Sequence, residues 1–211
     1  MALRRVMNGM RLLGVIWALS GAVELALANA AAPGLAEVEA RMLVADALTG
    51  TFTQRREIDS LPFPLLSTGR FALLSDAGLY WQVLSPAETA LRVRQGRVEE
   101  RAGQGGWAPV ELGATAQRLT GQLLTDLVAG RFRRLEALFD VEAQLDEQSW
   151  MVQLLPRDEA VASVIQQVNL RGDRFVREIR LQHASGEATE IELTPDPDRP
   201  LTESERGVLV D

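Results

Sequence analysis

The feature that most constrains the fold is a long succession of short segments in which apolar residues occupy every second position. In one such segment the apolar positions are Leu79, Trp81 and Val83, and a similar alternation recurs in most of the chain after residue 50. A period of two places these side chains on one face of a strand. Turn-forming pairs such as Gln95-Gly96 and Gly172-Asp173 separate the segments. The pattern predicts an antiparallel meander of half-buried strands joined by tight turns.

Two segments have a helical spacing instead. Apolar residues recur every three or four positions from Leu35 to Leu48, and Gly50 is expected to end that helix. A second helix is predicted over Ala114 to Ala129, closed by Gly130. A short helical turn is expected near residues 158–161. The predicted fold class is therefore α+β and mainly β.

About ten or eleven strands follow one another without a linker or an internal repeat. Strand twist accumulates across a sheet of this size, so a single strongly curved antiparallel sheet is expected. The helices must bury their apolar stripes, and the concave face of the sheet is the surface available to them.

The first thirty residues have the order of a secretory signal peptide. Arg4, Arg5 and Arg11 precede an apolar run from Leu12 to Ala22, and Ala28-Asn29-Ala30 supplies the cleavage pattern. A membrane anchor is the alternative, but Glu24 interrupts the apolar stretch early. We expect export to a bacterial periplasm, which the absence of cysteine permits.

The expected organisation is a signal peptide over residues 1–30, a folded domain over 31–194 and a tail over 195–211. The tail contains three prolines and five acidic residues. That composition predicts an extended and solvated segment.

Composition excludes most catalytic and metal chemistry. The chain has no cysteine, one histidine (His183), and no lysine among its basic residues. Acidic pairs such as Asp146-Glu147 and Asp158-Glu159 fall at predicted turns, where carboxylates are normally solvated. No catalytic residue, cofactor or metal site is therefore predicted, although a hydrolase using carboxylates stays open as a rival. The net charge of −7 gives no electrostatic reason to bind nucleic acid.

An apolar cavity between the sheet and the helices would explain the sequence better than a catalytic or metal site would. A wide curved sheet covered by only two amphipathic helices leaves space beneath them, and an apolar cleft is a ligand site by default. Each methylene group of an acyl chain buried there would contribute about 0.8 kcal/mol. The residues expected to line the cavity are Phe52, Phe71, Leu73, Leu79, Trp81, Val83, Leu91, Val93, Trp150 and Val152. The inner face of the covering helix, the lid, is expected to be Leu123, Leu124, Leu127 and Val128.

The order of motifs resembles the LolA-like outer-membrane lipoprotein carrier family over roughly residues 35–194. The matching segments are Phe52-Thr53-Gln54, Ser67 to Phe71, Gly78 to Trp81 with Pro86, Trp150 to Pro156, and Gly186 to Ile191. The resemblance implies an unclosed half-barrel with helices as a lid over a hydrophobic cavity. It also implies a periplasmic carrier or chaperone, expected to be a monomer, whose cargo is an acylated lipoprotein or another lipid. An inner-membrane transporter would donate the cargo and an outer-membrane acceptor would receive it.

One motif of the family is missing. Carriers of this family have an Arg-Pro pair before the third strand, where the Arg latches the lid, whereas this chain has Ser75-Asp76-Ala77. The departure favours an alternative in which the protein handles a glycolipid or an aryl-polyene lipid instead of lipoproteins. A sensor or scaffold that binds an envelope component without carrying it also stays open.

Overall fold

The protein, described by a computed structural model over residues 34–43, 45–111 and 114–210, forms one antiparallel sheet of eleven strands. The spatial order is β6-β5-β4-β3-β2-β1-β11-β10-β9-β8-β7. The strands are β1 (Ala47–Glu57), β2 (Leu65–Leu74), β3 (Gly78–Ser85), β4 (Thr89–Arg94), β5 (Arg97–Ala102), β6 (Ala108–Pro109), β7 (Phe139–Leu145), β8 (Trp150–Pro156), β9 (Ile165–Gly172), β10 (Val176–His183) and β11 (Ala188–Asp196).

The helices are α1 (Leu35–Arg41), α2 (Ala114–Ala129), α3 (Glu159–Ala162) and α4 (Glu203–Val210), with a 3₁₀ helix over Phe132–Ala137. The predicted fold class is confirmed, because the fold is mainly β and its antiparallel sheet is bent but not closed into a barrel. Its bend is visible in the contacts of α2, which packs on β2 to β5 and also on β10, on the other side of β1.

The main core lies on the inner face of the sheet, the face that α2 covers. Alternate residues of nearly every strand contribute to it, as period-two patterning requires. The ends of α2 agree with the sequence-based prediction over Ala114–Ala129. Gly130 follows with φ +67°, the left-handed conformation in which helices commonly end. The predicted helical turn is confirmed as α3, whose Asp158 side chain accepts from the N–H groups of Ala160 and Val161.

The prediction of a helix from Leu35 to Leu48 is wrong in its second half. Helix α1 ends at Arg41, and the N–H of Leu43 donates to the carbonyl of Arg174 at 2.8 Å. From Ala47 the chain is already in β1, bonded on both sides, to β2 and to β11. Gly50 does not end a helix but faces the ring of Phe71, which lies where a Cβ atom would stand. The sheet pairing outweighs the helical spacing of this segment.

The prediction of an extended, solvated tail is also wrong. The last described residues form α4, which packs on β3 and β4 against the outer face of the sheet. Thr202 and Glu205 form a capping box, with Thr202 N–H to Glu205 Oε2 at 2.9 Å and Glu205 N–H to Thr202 Oγ1 at 3.2 Å. Leu209 is fully buried beside Tyr80. A second, smaller core therefore lies on the outer face.

Glu205 is buried and pairs with Arg199 through two hydrogen bonds of 3.1 and 3.0 Å. Burial alone would raise the pKa of Glu205, but the bonds from Arg199 and Thr202 hold it below its usual range. The predicted signal peptide, residues 1–30, lies outside the described residues. Within the described ranges, none of the helices has the length and apolar character needed to cross a membrane.

Candidate functional site

A cavity of about 720 Å³ lies between α2 and the inner face of the sheet, and it is here called the inner cavity. Known small-molecule sites enclose roughly 300–1,000 Å³ and are lined mainly by apolar side chains. The apolar residues of this cavity are Leu79, Trp81, Val83, Ala90, Leu91, Leu124, Leu127, Val128, Ile179, Leu181 and Ile191. Its polar groups, which include Gln54, Thr89, Glu100 and Arg101, give it a partly charged border.

Strand β3 supplies the floor of the inner cavity. Leu79, Trp81 and Val83 point to the same face because they are two residues apart. The indole of Trp81 stacks on the ring of Phe52, with centroids 3.9 Å apart and planes 22° apart. Phe71 lies behind, its centroid 6.1 Å from that of Trp81. Packing therefore holds one face of the indole in place, while Trp81 still lines the cavity.

Helix α2 is the roof. Leu124, Leu127 and Val128 face the inner cavity from it, one helical turn apart. The helix approaches the sheet closely at Gly121, where an added Cβ atom would stand 2.8 Å from Val93. The roof is thus a single amphipathic helix laid across a bent sheet.

An ion pair fixes the C-terminal end of this roof. Asp126, 1% exposed, accepts from Arg131 Nε at 2.9 Å, and Arg134 lies 3.7 Å away. Arg131 also donates to the carbonyl of Ser75, at 3.3 Å, in the turn between β2 and β3. Burial raises the pKa of the Asp126 carboxyl above its usual range, and the charge of Arg131 acts against this. The turn at Ser75, which lacks the Arg-Pro pair, is therefore joined to the lid by Arg131, an arginine that follows α2 in the chain.

The structure separates the predicted cavity residues into two groups. Leu79, Trp81, Val83 and Leu91 line the inner cavity, as do Leu124, Leu127 and Val128 of the predicted lid. The others lie outside its lining and are buried in the packed core: Phe52, Phe71, Leu73, Val93, Leu123, Trp150 and Val152.

Trp150 illustrates the second group. It is 1% exposed, its indole N–H donates to the carbonyl of Asp173 at 2.6 Å, and its ring meets Phe132 edge-on at 5.3 Å. Its partners on all sides are protein groups, which indicates a structural position in the core.

Beyond the predicted residues, β10 and β11 contribute Ile179, Leu181 and Ile191 to the wall, and β4 contributes Ala90. Their period-two spacing identifies the face they occupy. It does not reveal that β10 and β11 bend round to stand opposite β3 and β4.

A smaller cavity of about 430 Å³ lies at the C-terminal end of the lid, next to the inner cavity. Its apolar lining includes Leu48, Leu73 and Phe175, and Arg131, Arg133 and Arg134 stand among its polar residues. Val128 lines both cavities.

Polar chemistry at the inner cavity is sparse. His183 lies in β10, and its Nε2 is 3.1 Å from the hydroxyl of Thr189. Among the described residues, no group of three or more histidine or acidic side chains is arranged to hold a metal ion. The arrangement suits the enclosure of an apolar group.

Comparison with family models gives a match to "Outer membrane lipoprotein carrier protein LolA-like" over residues 28–194. Comparison with curated proteins gave no match.

Solved structures with a similar course of the chain include a LolA superfamily protein, NE2245, from Nitrosomonas europaea. It is 13% identical, with 81% of this chain and 94% of that chain covered and a TM-score of 0.45. A DUF1329 family protein from Desulfovibrio piger is 10% identical, with coverages of 83% and 96% and a TM-score of 0.46. The MucA/MucB complex from Pseudomonas aeruginosa gives 18% identity, coverages of 81% and 57%, and a TM-score of 0.42. This chain therefore spans somewhat more than half of the matched chain in that complex.

Proposed function

Because the chain belongs to the LolA-like outer membrane lipoprotein carrier family, we propose that it is a periplasmic carrier that holds acyl chains in the inner cavity. Its cargo would be a lipoprotein or another envelope lipid, carried toward the outer membrane. Members of the family are carrier or binding proteins, and no covalent step is proposed.

The inner cavity is the observation that supports this proposal most strongly. Its walls are aliphatic side chains and one indole, and its polar groups number only a few. A buried acyl chain gains about 0.8 kcal/mol per methylene from leaving water, and the polar groups of the border, among them Gln54, Glu100 and Arg101, are few beside the apolar wall. The chemistry of the walls therefore matches hydrocarbon.

A carrier must also release its cargo, which requires that the cavity can open. Helix α2 alone covers the cavity from above, and it is joined to the sheet by side-chain packing and by Arg131, which pairs with Asp126. A helix held to a sheet by side chains opens at lower free energy than a central strand, whose backbone is hydrogen-bonded on both sides. We therefore assign the gating motion to α2.

The test is uptake of a fluorescent fatty acid by the purified protein, with unlabelled palmitate as competitor. The substitution Trp81→Glu places a carboxylate against the wall of the inner cavity, where burial of an unpaired charge is costly. The dissociation constant should rise by more than about tenfold.

Trp107→Glu is the matched control. Trp107 packs against Tyr80 on the outer face, with the guanidinium carbons of Arg92 and Arg101 4.6 and 4.8 Å from its ring centre. The same change there should leave uptake unaltered. Equal uptake by wild type and by a folded Trp81→Glu variant, checked by circular dichroism, would exclude the inner cavity as the binding site.

A glycolipid or aryl-polyene cargo is the second candidate. It is favoured by the turn at Ser75-Asp76-Ala77, which lacks the family's Arg-Pro pair. Delivery of a fluorescent lipid and of an acylated peptide between donor and acceptor vesicles would separate the two cargo classes. A sensor would bind one of them without delivering it.

A further inference from the structure

The connection between β1 and β2 exposes an unusual amount of apolar surface. Within Leu61-Pro62-Phe63-Pro64-Leu65-Leu66, here called the apolar tip, the ring of Phe63 is 77% exposed. Leu61, Leu65 and Leu66 are 42%, 49% and 60% exposed. Single apolar side chains on a surface are ordinary, but contiguous ones mark a place of interaction.

The apolar tip stands at the border of the inner cavity. Gln54 lines the cavity and pairs with Ser67, and the next pair on the same face of the sheet, one step further out, joins Arg56 to Leu65. The cavity also reaches the turn between β5 and β6 at Gly105 and Gly106, at the same end of the sheet.

The backbone of the apolar tip is constrained. Pro62 and Pro64 fix two of its φ angles, and the N–H of Leu61 donates to the carbonyl of Ile58 at 2.9 Å. Phe63 is therefore presented on a stiff support, which lowers the entropy lost on docking.

The two arginines beside the apolar tip are already paired, and the remaining charge next to it is the carboxylate of Asp59. Arg55 contacts Glu57 at 2.9 Å, and Arg56 contacts Glu187 at 3.0 Å. Residues 60–66 carry no charge at all. Recognition at this place therefore has to depend on apolar burial and not on charge complementarity.

A strand from a partner protein cannot extend the sheet here. Strand β1 is paired with both β2 and β11, and β2 with both β1 and β3. A stable protein interface buries about 800 Å² on each side in a shape-matched surface, whereas the exposed apolar residues of the apolar tip lie within six consecutive positions. A bilayer accepts a short apolar segment without a matching shape.

We propose that the apolar tip inserts into the interfacial region of a lipid bilayer and sets the border of the inner cavity against the membrane. The inference rests on the proposed carrier function, because it gives an acyl chain a route from bilayer to cavity that avoids water. Membrane contact would depend on Phe63 and its leucine neighbours and would not require anionic lipid.

The test is co-sedimentation of the full chain with phosphatidylcholine vesicles, with and without phosphatidylglycerol, at low and high salt. The double variant Phe63→Ser, Leu66→Ser should lower the partition coefficient by about tenfold or more, while salt and anionic lipid should change it little. The matched control is Met151→Ser, Leu155→Ser, which removes two apolar side chains, 41% and 37% exposed, from β8. That control should partition like wild type.

Three results would overturn the proposal: no partition of the wild-type protein, an equal loss in the β8 control, or binding that appears only with anionic lipid. Fatty-acid uptake in free solution distinguishes this failure from that of the carrier function. The tip variant should take up fatty acid as wild type does, because its substituted residues do not line the inner cavity.

Discussion

Aromatic rings on the inner face are accommodated by glycines directly across the sheet. An ideal Cβ atom at Gly69 would stand 2.5 Å from the ring of Phe52 and 2.0 Å from the carbonyl oxygen of Gln82. The glycine lets the ring lie flat over the neighbouring strand, where it supports Trp81. Two further pairs repeat the arrangement: Phe71 with Gly50, and Trp150 with Gly172.

The substitution Gly69→Ala should therefore destabilise the fold by about 2 kcal/mol, because the added methyl group overlaps a ring and a backbone carbonyl. The free energy of unfolding in urea measures the loss. Gly106→Ala is the control, since no atom lies within 4 Å of its added Cβ. Equal stability of the two variants would mean that the ring of Phe52 is free to move aside.

The sequence predicts on which face of the sheet a residue lies, but not how deeply its side chain is buried. Trp81 and Trp150 both occupy inward-facing positions of strands, and both were predicted to line the cavity. One does so, whereas Trp150 is enclosed by Phe132 and by the carbonyl of Asp173. The difference arises from packing between distant segments, which alternation along one strand cannot encode.

Among the elements, α2 is the one whose stability bears on function. Arg131 joins Asp126 at its C-terminal end to the carbonyl of Ser75. Removing one partner of a buried ion pair leaves the other charge uncompensated.

Arg131→Ala should lower the free energy of unfolding by about 2–3 kcal/mol, because Asp126 would keep only its hydrogen bond with Gln122 and the more distant Arg134. Hydrogen exchange in α2 should accelerate, and bound fatty acid should dissociate faster. Since burial holds the pKa of Asp126 above its usual range, the carboxyl is protonated at a higher pH in the folded protein than in the unfolded chain. A neutral carboxyl is stabilised less by the guanidinium charge, so the stability lost in Arg131→Ala should be smaller at acidic pH.

Arg133→Ala serves as the comparison. Arg133 is 64% exposed and pairs with Glu39 at 3.2 Å, and a surface pair contributes about 1 kcal/mol or less. If both arginine variants lost the same stability, the Asp126 pair would have no special part in holding α2.

Element boundaries were predictable where local signals and tertiary contacts agree. Helix α2 ends at a glycine with positive φ, and its prediction is confirmed. The prediction of a helix up to Leu48 is wrong because the chain pairs with β2 from Ala47 and with β11 from Thr49. Helix α4 was missed although Thr202 and Glu205 form a capping box, because the prolines and acids before and around it suggested a solvated tail.

For the whole molecule, curvature is the property that creates the candidate site. Strands β3 and β4 stand on one side of the inner cavity, and β10 and β11 supply Ile179, Leu181 and Ile191 on the other. A long antiparallel sheet predicts a bend through accumulated twist, but not which strands come to face each other. The antiparallel register of β1 and β2 places the apolar tip at the same end of the sheet as the border of the cavity.

Binding of an acyl chain in the inner cavity can be measured by native mass spectrometry of the protein purified from its own cells without detergent. We expect one acyl-bearing molecule bound per chain, released on unfolding, and lost from Trp81→Glu but kept by Trp107→Glu. A protein whose mass is that of the bare chain in every preparation, and which takes up no added fatty acid, would contradict this expectation.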